Sequence, residues 1–295
     1  MPRVSLVVVN YNAAAHTRAL LSGVADGVDQ VVVVDNQSPD GPPTGLDEVW
    51  PGAELVHGGV NLGYGAAANL GARRASGDVI LVANPDITIG SQAVRALAAA
   101  AMQPGVALAA PRFVSPNGRL IRSAHVRDPG LLVTLQELSA PFAALMKRVD
   151  SEWHATLLRH DEHDQARDVA HVLGALVAVR ASAFRAVGGF DERFFLYREE
   201  TDLCRRLRQA GWRIRHEPSV TAVHVGEGST DDPGPIQARS SALESHYRFI
   251  ELHWGTARSR LARTLGLAAS ASWAVAGPDR RAGLRALRWH VGRHG

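Results

Sequence analysis

The first 111 residues predict an α/β fold built on a mostly parallel central sheet. Two observations carry this. Apolar, β-branched runs recur without polar alternation, as strands covered on both faces require. Alanine- and leucine-rich stretches of helical length separate them, which is the pattern of crossover connections.

The elements follow in order. Residues 4–10 (VSLVVVN) read as a buried strand, with a helical stretch to about Asp26. Residues 30–36 (QVVVVDN) are a second buried strand, closed by the turn-forming cluster SPDGPP. Residues 53–58 make a shorter third strand, and 63–75 (GYGAAANLGARRA) a helix. The strand 78–83, a helix 91–103 and the strand 106–111 complete the set. Ligands of such sheets bind outside the carboxyl ends of the strands. Asn10, Asp35 and Asp86 all stand at such ends.

Beyond this the pattern changes. Residues 112–168 hold SPNG, a leucine-rich piece and the polar RHDEHDQARD, and read as a loop-like insertion. Order returns at 169–184, and the last 60 residues read as helical. The 46% hydrophobic and 21% charged content of the 295 residues is that of a globular chain with ample core. A single cysteine, Cys204, excludes an intramolecular disulfide and points to a reducing compartment. No apolar run is long enough to span a membrane, and no signal peptide is expected.

Net charge is only +3, yet from Thr256 onward eight arginines face one acid, Asp279. Such a tail suits an anionic membrane surface or nucleic acid. No nucleic-acid-binding motif accompanies it, so nucleic acid is not expected. An ordinary solvated helix remains an open reading.

Four constellations hold polar chemistry. Gly63-x-Gly65-x-x-Ala68 is a loose dinucleotide fingerprint, but it follows the third strand, and the first strand's turn has no glycine. Asp35-Asn36 could bind the edge of a base or cap an Asx turn. Asp86 and His224 could share a hard divalent ion, or His224 could be structural. Glu199, Glu200 and Asp202 precede a helix, where acids cap the dipole or one serves as general base.

Together the ordered blocks VVVNYN, VVVVDNQSPDG, NLGYGAAANLGARRASGDVILVANPD, LGALVAVRASAFRAVGGFDERFFLYREETDLCRRLRQAGWRI and HVGEGST resemble the family 2 glycosyltransferases, and within them the rhamnosyltransferase-like members. The resemblance covers roughly residues 3–255. It implies a GT-A fold over residues 1–255, with a Rossmann-like nucleotide-binding half (1–111), the insertion (112–168) and an acceptor and catalytic half (169–255); residues 256–295 follow as a basic amphipathic helical tail, read from their own leucines, tryptophans and arginines. It also implies an inverting transfer from a nucleotide-sugar, with dTDP-rhamnose as the expected donor and another dTDP- or UDP-hexose as the alternative. Magnesium or manganese is the implied cofactor.

By motif position, the resemblance assigns Asn10, Tyr11, Asn12, Asp35, Asn36, Asn61, Gly63, Asn69, Arg73 and Asn84 to the donor. Asp86 and His224 become metal ligands, because Asn-Pro-Asp replaces the family's usual Asp-x-Asp. Glu199-Glu200 stands at the family's Glu-Asp pair, so Glu200 is the expected base and Glu199 its substitute. Gly174, Asp191 and Trp212 fall on the acceptor side. The acceptor is expected to be a glycan or polyprenyl-linked glycan of the cell envelope, met in the cytoplasm or at the inner face of the plasma membrane. A homodimer contact and a non-catalytic sugar-nucleotide-binding protein are the remaining alternatives.

Overall fold

The computed structural model describes residues 1–129, 158, 161–226, 236–276, 284, 287 and 288. The chain divides into two compact units, 1–127 with 157–233, and 128–156 with 234–295. The first unit is a mixed sheet with helices on both faces. Its strands are β1 (Val4–Asn10), β2 (Gln30–Asp35), β3 (Glu54–His57), β4 (Val79–Ala83), β5 (Ile87–Thr88), β6 (Val106–Val114), β7 (Leu120–Ile121), β8 (Ala124–His125), β9 (Arg167–Val169), β10 (His171–Val172), β11 (Leu176–Arg180) and β12 (Arg213–His224). Along the main sheet the order is β3-β2-β1-β4-β11-β6-β12-β5. Strands β1 to β4 pair in parallel, and β11 enters antiparallel between β4 and β6.

Both faces of β1 are covered, which is why its seven residues are all buried. Val7 and Val9 join one apolar cluster with Ala67, Ala68 and Leu203. Leu6 and Val8 join the other with Leu20, Leu21, Val94 and Leu97. Helices α1 (Ala14–Gly23) and α4 (Ser91–Ala101) supply the second face. Short α2 (Leu46–Val49), α3 (Tyr64–Ala72), α5 (Ala181–Ala186) and α6 (Glu199–Gln209) complete this unit. Helix α3 approaches the sheet closely because Gly71 has no side chain: a Cβ there would overlap Val7 and meet Val34 Cγ2 at 3.0 Å. Both valines are stiff at χ1 and cannot swing aside. Gly71→Ala is therefore expected to lower unfolding stability by about 1–3 kcal/mol, despite alanine's better helix propensity, as read by denaturant titration.

Register sets the site. Asn10 lies opposite Asp35, and Asp35 opposite His57, so β1, β2 and β3 end at one edge. β11 begins where β4 ends, with Leu176 opposite Ala83. β12 pairs His224 with Ile87 of β5, which brings that imidazole beside the carboxyl end of β4.

In the second unit, α7 (Ile236–Trp254) and α8 (Thr256–Ala276) fold back on each other at Gly255, whose φ of +91° favours glycine. Tyr247, Ile250 and Ala262 form their shared core. Arg263 lies 4.8 Å over the Tyr247 ring. Four of the eight tail arginines (Arg280, Arg281, Arg285 and Arg293) and the bulk of the 112–168 insertion fall outside the described residues. Where the insertion is described it holds the end of β6, the short β7, β8 and β9, and a 3₁₀ turn.

Candidate active site

The site forms around Gly174-Ala175. The backbone N–H of Asn84 donates to the Ala175 carbonyl at 2.8 Å, tying the Asn-Pro-Asp turn to the start of β11. On the other side Glu200 lies against Gly174, where an added Cβ would meet Glu200 Cβ at 3.0 Å. Tyr64, at the start of α3, donates its hydroxyl to the Gly174 carbonyl at 3.1 Å. The Asn-Pro-Asp turn and Glu200 thus both meet one dipeptide.

On the first side Asp86 Oδ2 is 3.4 Å from His224 Nε2, with His224 nearly buried and Asp86 partly open. Burial pushes the Asp86 carboxyl up. The His224 ring and the Gly226 backbone N–H outweigh this and hold it below the usual carboxylate range. A Cβ at Gly226 would overlap Asp86 Oδ2, so glycine there leaves the carboxylate room to hold its position. Among the described residues no group of three or more His, Cys, Asp or Glu is arranged to hold a metal ion, and Asp86 with His224 would be a two-residue share of a cation site. A carboxylate and an imidazole at this separation fit a hard divalent ion that takes its other ligands from phosphates and water.

On the second side Glu199 is buried and Glu200 half-buried at the first turn of α6. Burial raises both carboxyls, and the Glu200 charge raises Glu199 further, well above the usual range. Glu199 packs against Gly65, and its Oε2 has no hydrogen-bond partner among the described residues. Tyr64 sits within the field of Glu199, Glu200 and Asp86. Its own burial and those three charges keep its phenol protonated.

The remaining sequence-predicted residues sort into groups. Asn10 is fully buried, and its amide nitrogen donates to Asp35 Oδ1 (2.9 Å) and Ser38 Oγ (3.0 Å) while its oxygen accepts from Thr17 (2.8 Å). Asp35 accepts from Ser38 as well, at 2.6 Å. These contacts make Asn10 and Asp35 one internal network at the strand ends. Tyr11 beside them is 50% exposed, and Asn12 takes a left-handed φ of +53°. Asn36 donates to Asn61 Oδ1 and accepts from Leu62 N–H, shaping the loop into α3. Asn69 bonds both backbone groups of Phe190 and the Glu192 carboxylate, so it fastens α3 to the segment before α6. Arg73 reaches Glu192 at 3.8 Å on the surface. Asp191 is held by Arg193, which keeps its carboxyl low. Trp212 lies beyond the far end of α6 from Glu199-Glu200, with Arg180 5.4 Å over its ring.

Sequence reasoning passed over Tyr64, Ser38, Thr17 and Gly226. Tyr64 stands inside NLGYGAAANLG, between the two glycines of the loose dinucleotide fingerprint. Gly63 takes φ +81° with Phe195 backbone packed where a Cβ would go, which locks the start of α3 to the segment ahead of α6.

Comparison with known proteins shows the family and the fold. Residues 5–188 match the family model described as Glycosyl transferase family 2, and residues 140–278 match Glycosyl transferase family group 2. An N-acetylglucosaminyl-diphospho-decaprenol L-rhamnosyltransferase of Mycobacterium tuberculosis is 31% identical over 307 residues, covering 98% of each chain. A low-salt glycan biosynthesis hexosyltransferase of Haloferax volcanii is 26% identical over 227 residues, 75% of this chain and 66% of that one. Among solved structures, a mannosyltransferase from Pyrobaculum calidifontis in complex with GDP-Man and Mn2+ aligns with a TM-score of 0.56 at 19% identity, covering 96% of this chain and 78% of that one.

Proposed function

The chain belongs to glycosyl transferase family 2, and from that premise we propose that it is an inverting rhamnosyltransferase acting on a polyprenyl-diphosphate-linked sugar. Its fold is GT-A and it is a transferase. The observation that supports the mechanism is that the Asn84-Pro85-Asp86 turn and Glu200 both meet the dipeptide Gly174-Ala175, with His224 beside Asp86. The near full-length likeness to a decaprenol-linked rhamnosyltransferase supports the acceptor class, and with it dTDP-rhamnose as donor.

In this reading Glu200 accepts the proton of the acceptor hydroxyl as its oxygen bonds to the anomeric carbon. The bond from that carbon to the nucleoside diphosphate breaks from the opposite face, which inverts the centre. Asp86 and His224 would hold a divalent ion on the diphosphate side. When bound, that ion neutralises charge on the leaving group. Tyr64 keeps the Gly174 carbonyl in place and so fixes the distance between the two sides. The test is a donor panel with N-acetylglucosaminyl-diphospho-decaprenol as acceptor, with and without Mn2+ or Mg2+. Rhamnose transfer from dTDP-rhamnose that stops on chelation is expected. Preference for another hexose would replace the donor assignment, and full turnover under chelation would remove the cation.

A lipid-linked acceptor also gives α8 a role at an anionic bilayer surface. Leu261, Leu267 and Val275 are exposed along this helix, and Arg260 is exposed beside Leu261. No helix among the described residues is long and apolar enough to cross a membrane. Apolar side chains with arginine suit an interfacial location, at about 1 kcal/mol per basic residue. The full chain is expected to co-sediment with phosphatidylglycerol vesicles at low salt and to lose most of that binding at high salt. Unchanged binding by Leu261→Ser/Leu267→Ser would rule out this face.

A further inference from the structure

Resting on the transfer reading above, we propose that Asn69 is a positioning residue for the base: it clasps the chain at Phe190 and so sets where Glu200 stands. The side chain is buried and its amide is committed. Oδ1 accepts from Phe190 N–H at 2.9 Å, while Nδ2 donates to the Phe190 carbonyl at 2.8 Å and to Glu192 Oε1 at 3.0 Å. Three of the four hydrogen-bonding places of an asparagine side chain are thus filled from one short segment. The orientation is fixed as well, because a reversed amide would turn its oxygen toward two acceptors and its nitrogen toward a donor. Little of this group is left for a nucleotide-sugar.

The clasp reaches the base through the chain and through packing. The segment 189–198 runs from it directly into α6, whose first two residues are Glu199 and Glu200. Helix α3 meets that stretch at further points. A Cβ on Gly65 would meet Phe190 Cβ at 3.1 Å and Glu199 Cβ at 3.3 Å. Tyr64 N–H donates to the Phe195 carbonyl at 2.9 Å, and the Tyr64 ring stands edge-on to Phe190 with centroids 6.4 Å apart. Gly189, at φ +72°, leaves room for the amide, since a Cβ there would overlap Asn69 Oδ1. The start of α6 is therefore held by α3 at Phe190, Phe195 and Glu199. Two bonds to both backbone groups of one residue fix its orientation as well as its distance, which packing alone does not.

The chemistry is sensitive to that placement. A general base works within about 2.6–3.2 Å of the group whose proton it takes. Displacing a reacting group by about 1 Å costs on the order of 10²-fold. Glu199 and Glu200 also owe their raised carboxyls to burial. Loosening the clasp admits water to them and lets both fall toward the ordinary glutamate range.

The experiment uses the full chain, dTDP-rhamnose, N-acetylglucosaminyl-diphospho-decaprenol and Mn2+. Asn69→Ala removes all three bonds. Asn69→Asp preserves volume and the bond from Phe190 N–H, but turns an oxygen toward the Phe190 carbonyl and Glu192. Each is expected to lower kcat about ten- to hundred-fold with donor KM unchanged, and to move the acid limb of the kcat/KM profile down in pH. Gly189→Ala presses on Oδ1 from the other side and should do the same. Glu192→Ala leaves both bonds to Phe190 and should keep most of kcat. Where a variant folds only in part, the folded fraction scales kcat equally at every pH, so the acid limb still separates the two causes. A kcat loss with an unmoved acid limb would mean that Asn69 only stabilises the fold, and would overturn the proposal. An unchanged kcat would overturn it too, and a raised donor KM would give Asn69 to the nucleotide-sugar instead. Absence of transfer by the wild-type chain would overturn the reading beneath it, and is seen before any variant is measured.

Discussion

Asp86→Ala is expected to lose about 10²–10³-fold in transfer, and with it the enhancement of nucleotide binding by Mn2+. Both losses follow from one carboxylate. Its Oδ2 faces His224 Nε2 at 3.4 Å, and the Gly226 N–H and the imidazole keep it ionised. Removing that charge leaves the diphosphate side with a lone imidazole. Asp86→Asn separates charge from shape, because it preserves volume and should fail to nearly the same degree. Gly226→Ala reaches the same place without touching a charged group, since its methyl would displace the carboxylate. Thermal shift with dTDP, with and without Mn2+, reads the binding half of this expectation. Mn2+-enhanced stabilisation that survives Asp86→Ala would take the cation away from this residue.

Much of this frame was legible in the sequence for a simple reason. Strands covered on both faces read as continuous apolar runs, and β1 to β4 begin or end within about one residue of where those runs do. The acids at strand ends were legible because nothing in a buried strand explains them. β12 was not. Its residues RIRHEPSVTAVH alternate and carry Pro218, which argues against a central strand. The structure accommodates the proline at a register shift between Glu217 and Thr221, where β12 leaves and rejoins β6. That irregularity is compatible with carrying His224 to Ile87. Tyr64 and the Asn10-Asp35-Ser38 network were hidden for another reason. Asn10 reaches Asp35 and Ser38 across 25 and 28 residues and Tyr64 reaches Gly174 across 110, and a single sequence holds no signal of such pairings.

Glu199 and Glu200 are both candidates for the base, and their environments differ. Glu199 is buried, carries the larger upward shift and holds an unpartnered oxygen, so it keeps its proton when the pair has one to share. Glu200 is more open, is supported by backbone N–H groups and Arg198, and touches the Gly174 turn. Glu200→Gln is therefore expected to lose about 10²–10⁴-fold in transfer with donor binding intact. Glu199→Gln imitates the protonated neighbour and should keep most of the activity. Because burial raises Glu200, the acid limb of the wild-type kcat/KM profile should lie above the ordinary glutamate value of about 4.3. Stability gives an independent reading with a definite sign. A carboxyl whose folded pKa is raised contributes fully only below its unfolded value, and that contribution is lost as pH rises through the folded pKa. Glu199→Gln lacks this loss, so its melting temperature should gain on the wild type as pH rises from about 4 through the neutral range. If instead Glu199→Gln abolishes transfer and Glu200→Gln spares it, Glu199 is the base, and the half-buried carboxylate beside Gly174 has another task.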